Sequence, residues 1–131
     1  MQGQLLEPKN ARDLERICAE LGETLGLEVK QQLYVGRRIW GARRRIDVVL
    51  TDREHRRSLG VECKFQSSKG TAEEKIPATI QDIAAWPIDG LLCFAGPGFT
   101  EHIRYYMLST GKAVELADLE GWLRLYFLIG D

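Results

Sequence analysis

Gly90–Ala95 reads Gly-Leu-Leu-Cys-Phe-Ala, six residues without one polar side chain. Trp86-Pro87 precedes the run and Gly96-Pro97-Gly98 closes it as a turn, so it is bounded like a strand. A strand that is apolar along both sides must be covered on both faces. Any fold for this chain therefore needs a sheet with a layer above it and a layer below it.

Helical periodicity supplies those layers. From Asn10, a suitable N-cap, Leu14, Ile17, Cys18, Leu21 and Leu25 recur at three- and four-residue steps up to a stop at Gly26. Arg12, Glu15, Arg16 and Glu23 fall on the opposite side. Thr71-Ala72-Glu73-Glu74 matches a capping box, so a helix should follow with Ile76, Ile80, Ile83 and Ala84 inward. Pro77 lacks a backbone donor and should kink that helix or restart it. Thr100–Leu108, with Ile103, Tyr106, Met107 and Leu108 partly inward, and Asp118–Phe127 are further helices.

Alternation marks the other strands. Leu27–Val35 carries Leu27, Val29, Gln31, Leu33 and Val35 on one side. Arg45–Thr51 carries Ile46, Val48 and Leu50 on one face, with Asp47 and Val49 on the other. Thr51–Ser58 is a polar hairpin connection, Leu59–Gln66 the next strand and Ala113–Leu116 a short last one. The order is α-β-β-β-α-β, then α-β-α. An α/β fold with a central mixed sheet flanked by helices is expected. Without repeats, low-complexity tracts or linker-like shifts, residues 1–131 read as a single domain.

The formal net charge of −1 excludes a protein coated in basic charge. Its distribution is uneven, because Arg37, Arg38, Arg43, Arg44 and Arg45 cluster without an intervening acid. Such a face can bind a polyanion, and it can equally be a solvated arginine-rich hairpin. No apolar run approaches the length of a membrane-spanning helix, and Met1–Asn10 lacks a secretory signal pattern. Cys18, Cys63 and Cys93 are odd in number and widely spaced, which fits free thiols in a reducing compartment. A cytoplasmic location without membrane contact is the expectation. His55 and His102 read as surface residues, and Trp40, Trp86 and Trp122 as packing residues.

In Gly60-Val61-Glu62-Cys63-Lys64-Phe65-Gln66, residues two apart share a face. Glu62, Lys64 and Gln66 therefore line up on one side, with Val61, Cys63 and Phe65 toward the core. If the two strands of the hairpin pair, Asp47 falls near Glu62 or Lys64. Nearby carboxylates repel unless a cation or a proton resolves them. Hard carboxylate oxygens suit Mg²⁺, which keeps waters and accepts phosphate as a further ligand. An ion-pair cluster on a half-exposed sheet would produce the same pattern.

Asp47 followed by Glu62-Cys63-Lys64, in that order of elements, resembles the core signature of the PD-(D/E)xK nuclease superfamily, the restriction-endonuclease-like fold. The resemblance runs from about Ala11 to Ala95, with Ile46 standing where the superfamily often has proline. It implies that Asp47 and Glu62 bind a metal, helped by the Cys63 carbonyl. Lys64 would orient or activate the attacking water, Glu15 on the first helix would add to the metal site, and Gln66 would continue the catalytic face. It also implies Mg²⁺, with Mn²⁺ as a substitute, and double-stranded DNA as substrate. Arg37, Arg38, Arg43, Arg44 and Arg45, with Lys69 and Lys75, would then track phosphates.

The expected activity is metal-dependent endonucleolytic hydrolysis of DNA. Tyr105, Tyr106, Trp122, Leu123, Tyr126 and Phe127 would form the interface of a homodimer that reaches both strands. The alternative is a non-catalytic nucleic-acid-binding or assembly module that retains the nuclease fold. A binding module has little reason to keep carboxylates that repel phosphate.

Overall fold

The computed structural model describes residues 7–37, 41–68 and 73–130. Arg38, Trp40, Lys69 and the capping-box residue Thr71 lie outside them. The first helix, α1 (Ala11–Thr24), begins where the Asn10 side chain accepts the Asp13 N–H at 2.8 Å. The strands β1 (Glu28–Arg37), β2 (Arg43–Asp52) and β3 (Arg57–Phe65) follow. A short helical turn at Glu73–Lys75 leads into α2 (Ile76–Ala84), with Pro77 in its first turn, where a missing donor is harmless. After it come β4 (Asp89–Ala95), α3 (Glu101–Ser109), β5 (Ala113–Glu115) and α4 (Leu119–Phe127). Thr100 caps α3 by accepting the Ile103 N–H.

The five strands lie in sequence order, β1-β2-β3-β4-β5. β1, β2 and β3 are joined by antiparallel hairpins, whereas β3–β4 and β4–β5 are parallel. The parallel steps cross over through α2 and α3, as parallel neighbours require. β4 is covered on both faces, as its composition demands: Leu91 and Cys93 pack toward one layer and Leu92 and Phe94 toward the other.

One layer joins α1 and α4 to the sheet through Leu14, Cys18, Val48, Leu50, Val61, Leu119 and Leu123. The second joins α2 and α3 through Ile46, Val49, Ile76, Ile83, Phe94, Ile103 and Met107. Trp86 is held tightly in this second layer. Its ring lies over Gly60 and Gly90, adjacent in the β3–β4 register, and a Cβ on either would sit 2.7 Å from a ring carbon. Ala84, Tyr106 and Leu108 are exposed rather than inward, because Ile76, Ile83, Ile103 and Met107 already fill the contact with the sheet. Leu123 and Phe127 are core residues, so neither is available to an interface.

The β1–β2 pair is irregular in two places, a register shift between Tyr34 and Arg37 and a change of face at Asp47. Ile46 packs in the α2 layer and Val48 in the α1 layer, although they are two apart. The face switch occurs at Asp47, opposite Gln32, which has φ +57°. The β1–β2 ladder runs through Gln31–Val48 and Leu33–Ile46, but the Gln32–Asp47 rung between them is missing.

Candidate active site

The β2–β3 ladder ends at Val48–Val61, while β2 begins at Arg43 and β3 runs on to Phe65. Among the described residues, beyond that rung β2 pairs only with β1, and β3 only with β4. The sheet forks there. Asp47 and Glu62 are the first residues past the last rung, one on each arm. Asp47 Oδ2 accepts the Cys63 N–H at 2.9 Å, taking a donor that the departing strand leaves behind.

On β3, Glu62 and Lys64 share the face toward α2, as two-residue spacing requires. Their ion pair is 3.3 Å long, with the Glu62 side chain 14% exposed and that of Lys64 39%. Both open onto a cleft of about 560 Å³ whose far wall includes Lys75, Thr79, Gln81 and Asp82. Arg44 also lines the cleft, where its Nε donates to Asp82 Oδ1 at 2.9 Å. This arginine is tied into the wall rather than displayed to solvent.

Glu15 approaches from α1 and meets β1 instead of an arginine. The Gln31 side-chain amide donates to Oε2 at 3.4 Å, and the Gln32 amide donates to Oε1 at 2.8 Å and also contacts Oε2. The Gln32 amide also lies 3.5 Å from Asp47 Oδ1. Arg16, the neighbour that could have paired with Glu15, bridges Asp13 and Glu20. No sequence motif points to Gln32. The only hint is a pair of adjacent amides in an otherwise alternating strand.

Gln66 is not displayed beside Lys64. Strand β3 ends at Phe65, and Gln66 is 5% exposed, its side chain donating from Nε2 to the Gly98 carbonyl at 2.9 Å. Its main chain also bonds to Ala95 O and to the Gly98 N–H, so Gln66 clamps the β4–α3 loop to the end of β3. Among the expected phosphate contacts, Arg37, Arg43, Arg45 and Lys75 are exposed. Arg43 stacks over the Tyr34 ring at 4.0 Å. They sit on the hairpin and helical turn at the forked end of the sheet.

Behind the fork, three thiols meet. Cys18 Sγ lies 3.8 Å from both Cys63 Sγ and Cys93 Sγ, all buried and free. Contact with Cys18 and burial push the Cys63 and Cys93 thiols well above their ordinary range. Cys63 is therefore packing, not a nucleophile.

As placed, no three histidine, cysteine or acidic side chains among the described residues come together to hold a metal ion. The donor set at the fork is nevertheless of the right kind for a hard cation, with two carboxylates flanking the main chain of Cys63. Mg²⁺ is commonly held by one or two carboxylates and fills its shell with water. The residues fit such an ion without a third protein carboxylate. No helix among the described residues is long and apolar enough to cross a membrane.

A mixed sheet whose second and third strands part around Asp47 and Glu62-x-Lys64 has the layout of the restriction-endonuclease-like nucleases. Residues 3–119 match the PD-(D/E)XK nuclease superfamily domain, and the chain belongs to that superfamily. Enzymes of this superfamily generally use divalent metal ions. No curated protein matches the sequence significantly. Among solved structures, the fold is similar to that of AF1548, a protein of unknown function, with 20% identity, a TM-score of 0.53 and coverage of 77% of this chain and 55% of that one. An EndoMS–dsDNA complex matches with 12% identity, a TM-score of 0.43 and coverage of 86% and 47%. A repair endonuclease from Pyrococcus abyssi matches with 11% identity, a TM-score of 0.41 and coverage of 85% and 50%. The chain thus spans about half the length of the solved chains it matches.

Proposed function

We propose that this protein is a metal-dependent endonuclease that hydrolyses phosphodiester bonds of double-stranded DNA at the fork between β2 and β3. The observation that carries this reading is the position of Asp47 and Glu62 on opposite arms just past the last shared rung, with Lys64 paired to Glu62 at 3.3 Å. Asp47, Glu62 and the Cys63 carbonyl would hold the ion, Mg²⁺ or Mn²⁺. When bound, it supplies Lewis-acid stabilisation of the phosphoryl oxygens and a water of lowered pKa.

The chain's own residues do the rest. The Asp47–Cys63 hydrogen bond keeps one carboxylate in place before any substrate arrives. Lys64 is a compact cation beside the reacting phosphate, where it orients the attacking water and offsets the charge that develops on the phosphoryl oxygens. Glu62 keeps the Lys64 ammonium turned toward that position. Exposed Arg37, Arg43, Arg45 and Lys75 would follow the phosphate backbone, giving affinity that falls with salt. Two copies related by a twofold axis would address both strands of a duplex.

The test is a panel of linear, nicked, single-stranded and four-way-junction DNAs incubated with purified protein and Mg²⁺ or Mn²⁺. Cleavage that depends on the metal and disappears in Lys64→Ala supports the reading. Absence of cleavage on every substrate, with DNA binding indifferent to metal and to Asp47→Asn, refutes it in favour of a binding module.

A further inference from the structure

We infer that Gln32 is a positioning residue that links Glu15 to Asp47, so that Glu15 serves the site through this amide and not as a direct metal ligand. This inference rests on the reading of Asp47 as a metal-holding carboxylate. Successive side chains of a regular strand point to opposite faces, yet Gln31 and Gln32 both reach Glu15. The left-handed backbone at Gln32, φ +57°, is what turns the second amide to the same side. Glutamine gains nothing from that conformation; glycine and asparagine are the residues that adopt it readily. Such a backbone persists where its surroundings over-determine it, and here the surroundings are two carboxylates.

The Gln32 amide is a neutral donor placed between acids on different elements. It bonds Glu15 Oε1 at 2.8 Å and lies 3.5 Å from Asp47 Oδ1. Asp47 Oδ2 is already fixed by the Cys63 N–H. The row Glu15–Gln32–Asp47–Cys63 thus runs from helix α1 across β1 and β2 to the β3 arm of the fork. Glu15 orients the amide, and the amide orients Asp47. Partners of this kind tune metal affinity without touching the metal.

The experiment measures Mn²⁺ binding to the protein without DNA by isothermal titration calorimetry, beside thermal unfolding in a chelator. Gln32→Gly removes the amide and suits the left-handed backbone. It should weaken Mn²⁺ affinity about tenfold while leaving the metal-free melting temperature unchanged or raised. Glu15→Gln should weaken binding in the wild-type background and add nothing in the Gln32→Gly background. Gln32→Glu, which sets a third carboxylate there, should lower the metal-free melting temperature and restore it on adding Mn²⁺. Equal Mn²⁺ affinity in Gln32→Gly and wild type overturns the inference, as does a Glu15→Gln effect that persists in full without Gln32. A wild-type protein that takes up no Mn²⁺ refutes the metal-site reading and this inference together. Wild-type binding with an inert Gln32 refutes the inference alone.

Discussion

Two substitutions at Asp47 should separate its structural duty from its chemical one. The carboxylate accepts the Cys63 N–H at 2.9 Å, and Cys63 is 5% exposed. A hydrogen bond to a charged group contributes about 1.5–3 kcal/mol, and a neutral one about 0.5–1.5 kcal/mol. Asp47→Asn retains an acceptor oxygen and should lose about 1 kcal/mol. Removing a charge beside Glu15 returns a few tenths of that. Asp47→Ala leaves the Cys63 N–H without a partner and should cost about 2–3 kcal/mol. For a chain of this size the alanine variant should melt roughly 5 °C below the asparagine variant. Thermal unfolding by circular dichroism in a chelator reads the difference, and plasmid cleavage with Mg²⁺ reads the chemistry. Both variants should be inactive, because neither would present an anion to the proposed metal ion. Equal melting temperatures would show that the hydrogen bond does not hold the fork. An active asparagine variant would remove Asp47 from the metal site.

Lys64→Met should keep Mn²⁺ binding within a few-fold of wild type and reduce the single-turnover cleavage rate by about 10²–10³, as read by quenched-flow gels. Replacing both Arg43 and Arg45 with alanine should reduce the slope of log affinity against log salt by about 2, measured by fluorescence anisotropy on a duplex. Gly90→Ala should destabilise the fold by about 1–3 kcal/mol, because the new Cβ would run into the Ile83 side chain and sit 2.7 Å from the Trp86 ring; denaturant titration checks it. His55, hydrogen-bonded to Asp52 at 2.8 Å, should titrate above the ordinary imidazole range, because that bond favours the charged ring. Its contribution is complete below the unfolded-state value and fades as pH rises through the raised folded value. An NMR titration should show the midpoint falling back toward the ordinary range in Asp52→Asn.

Periodicity made most of the architecture legible. Alternation around the Thr51–Ser58 connection located the hairpin. The wholly apolar Gly90–Ala95 run required cover on both faces, and Pro77 marked where α2 begins. The placement of Asp47, Glu62 and Lys64 was legible for the same reason, since two-residue spacing aligns Glu62 with Lys64 and the hairpin brings Asp47 near the neighbouring strand, whereas their roles came from the family resemblance. The reading failed where that regularity breaks. Ile46 and Val48 face opposite layers because the strand turns over at Asp47, and uniform alternation has no term for such a turn. Gln32 left no trace beyond a pair of adjacent amides, because glutamine does not advertise a left-handed backbone. Gln66 looked like the next residue of the active face because nothing in its neighbours reveals that β3 ends at Phe65.

The fork also sorts mutations by how they combine. Up to Val48–Val61 the strands share rungs, so substitutions there should interact in their effects on folding. Past that rung, changes on the β1–β2 arm and changes on the β3–β4 arm touch different ladders, and away from the Asp47–Cys63 bond and the core layer that Ile46 shares with Phe94 their stability effects should add. Their effects on turnover should not, because the groups proposed to act on one phosphate stand on both arms. Epistasis in this protein would then follow a geometric boundary, additive for the scaffold and strongly coupled for the reaction.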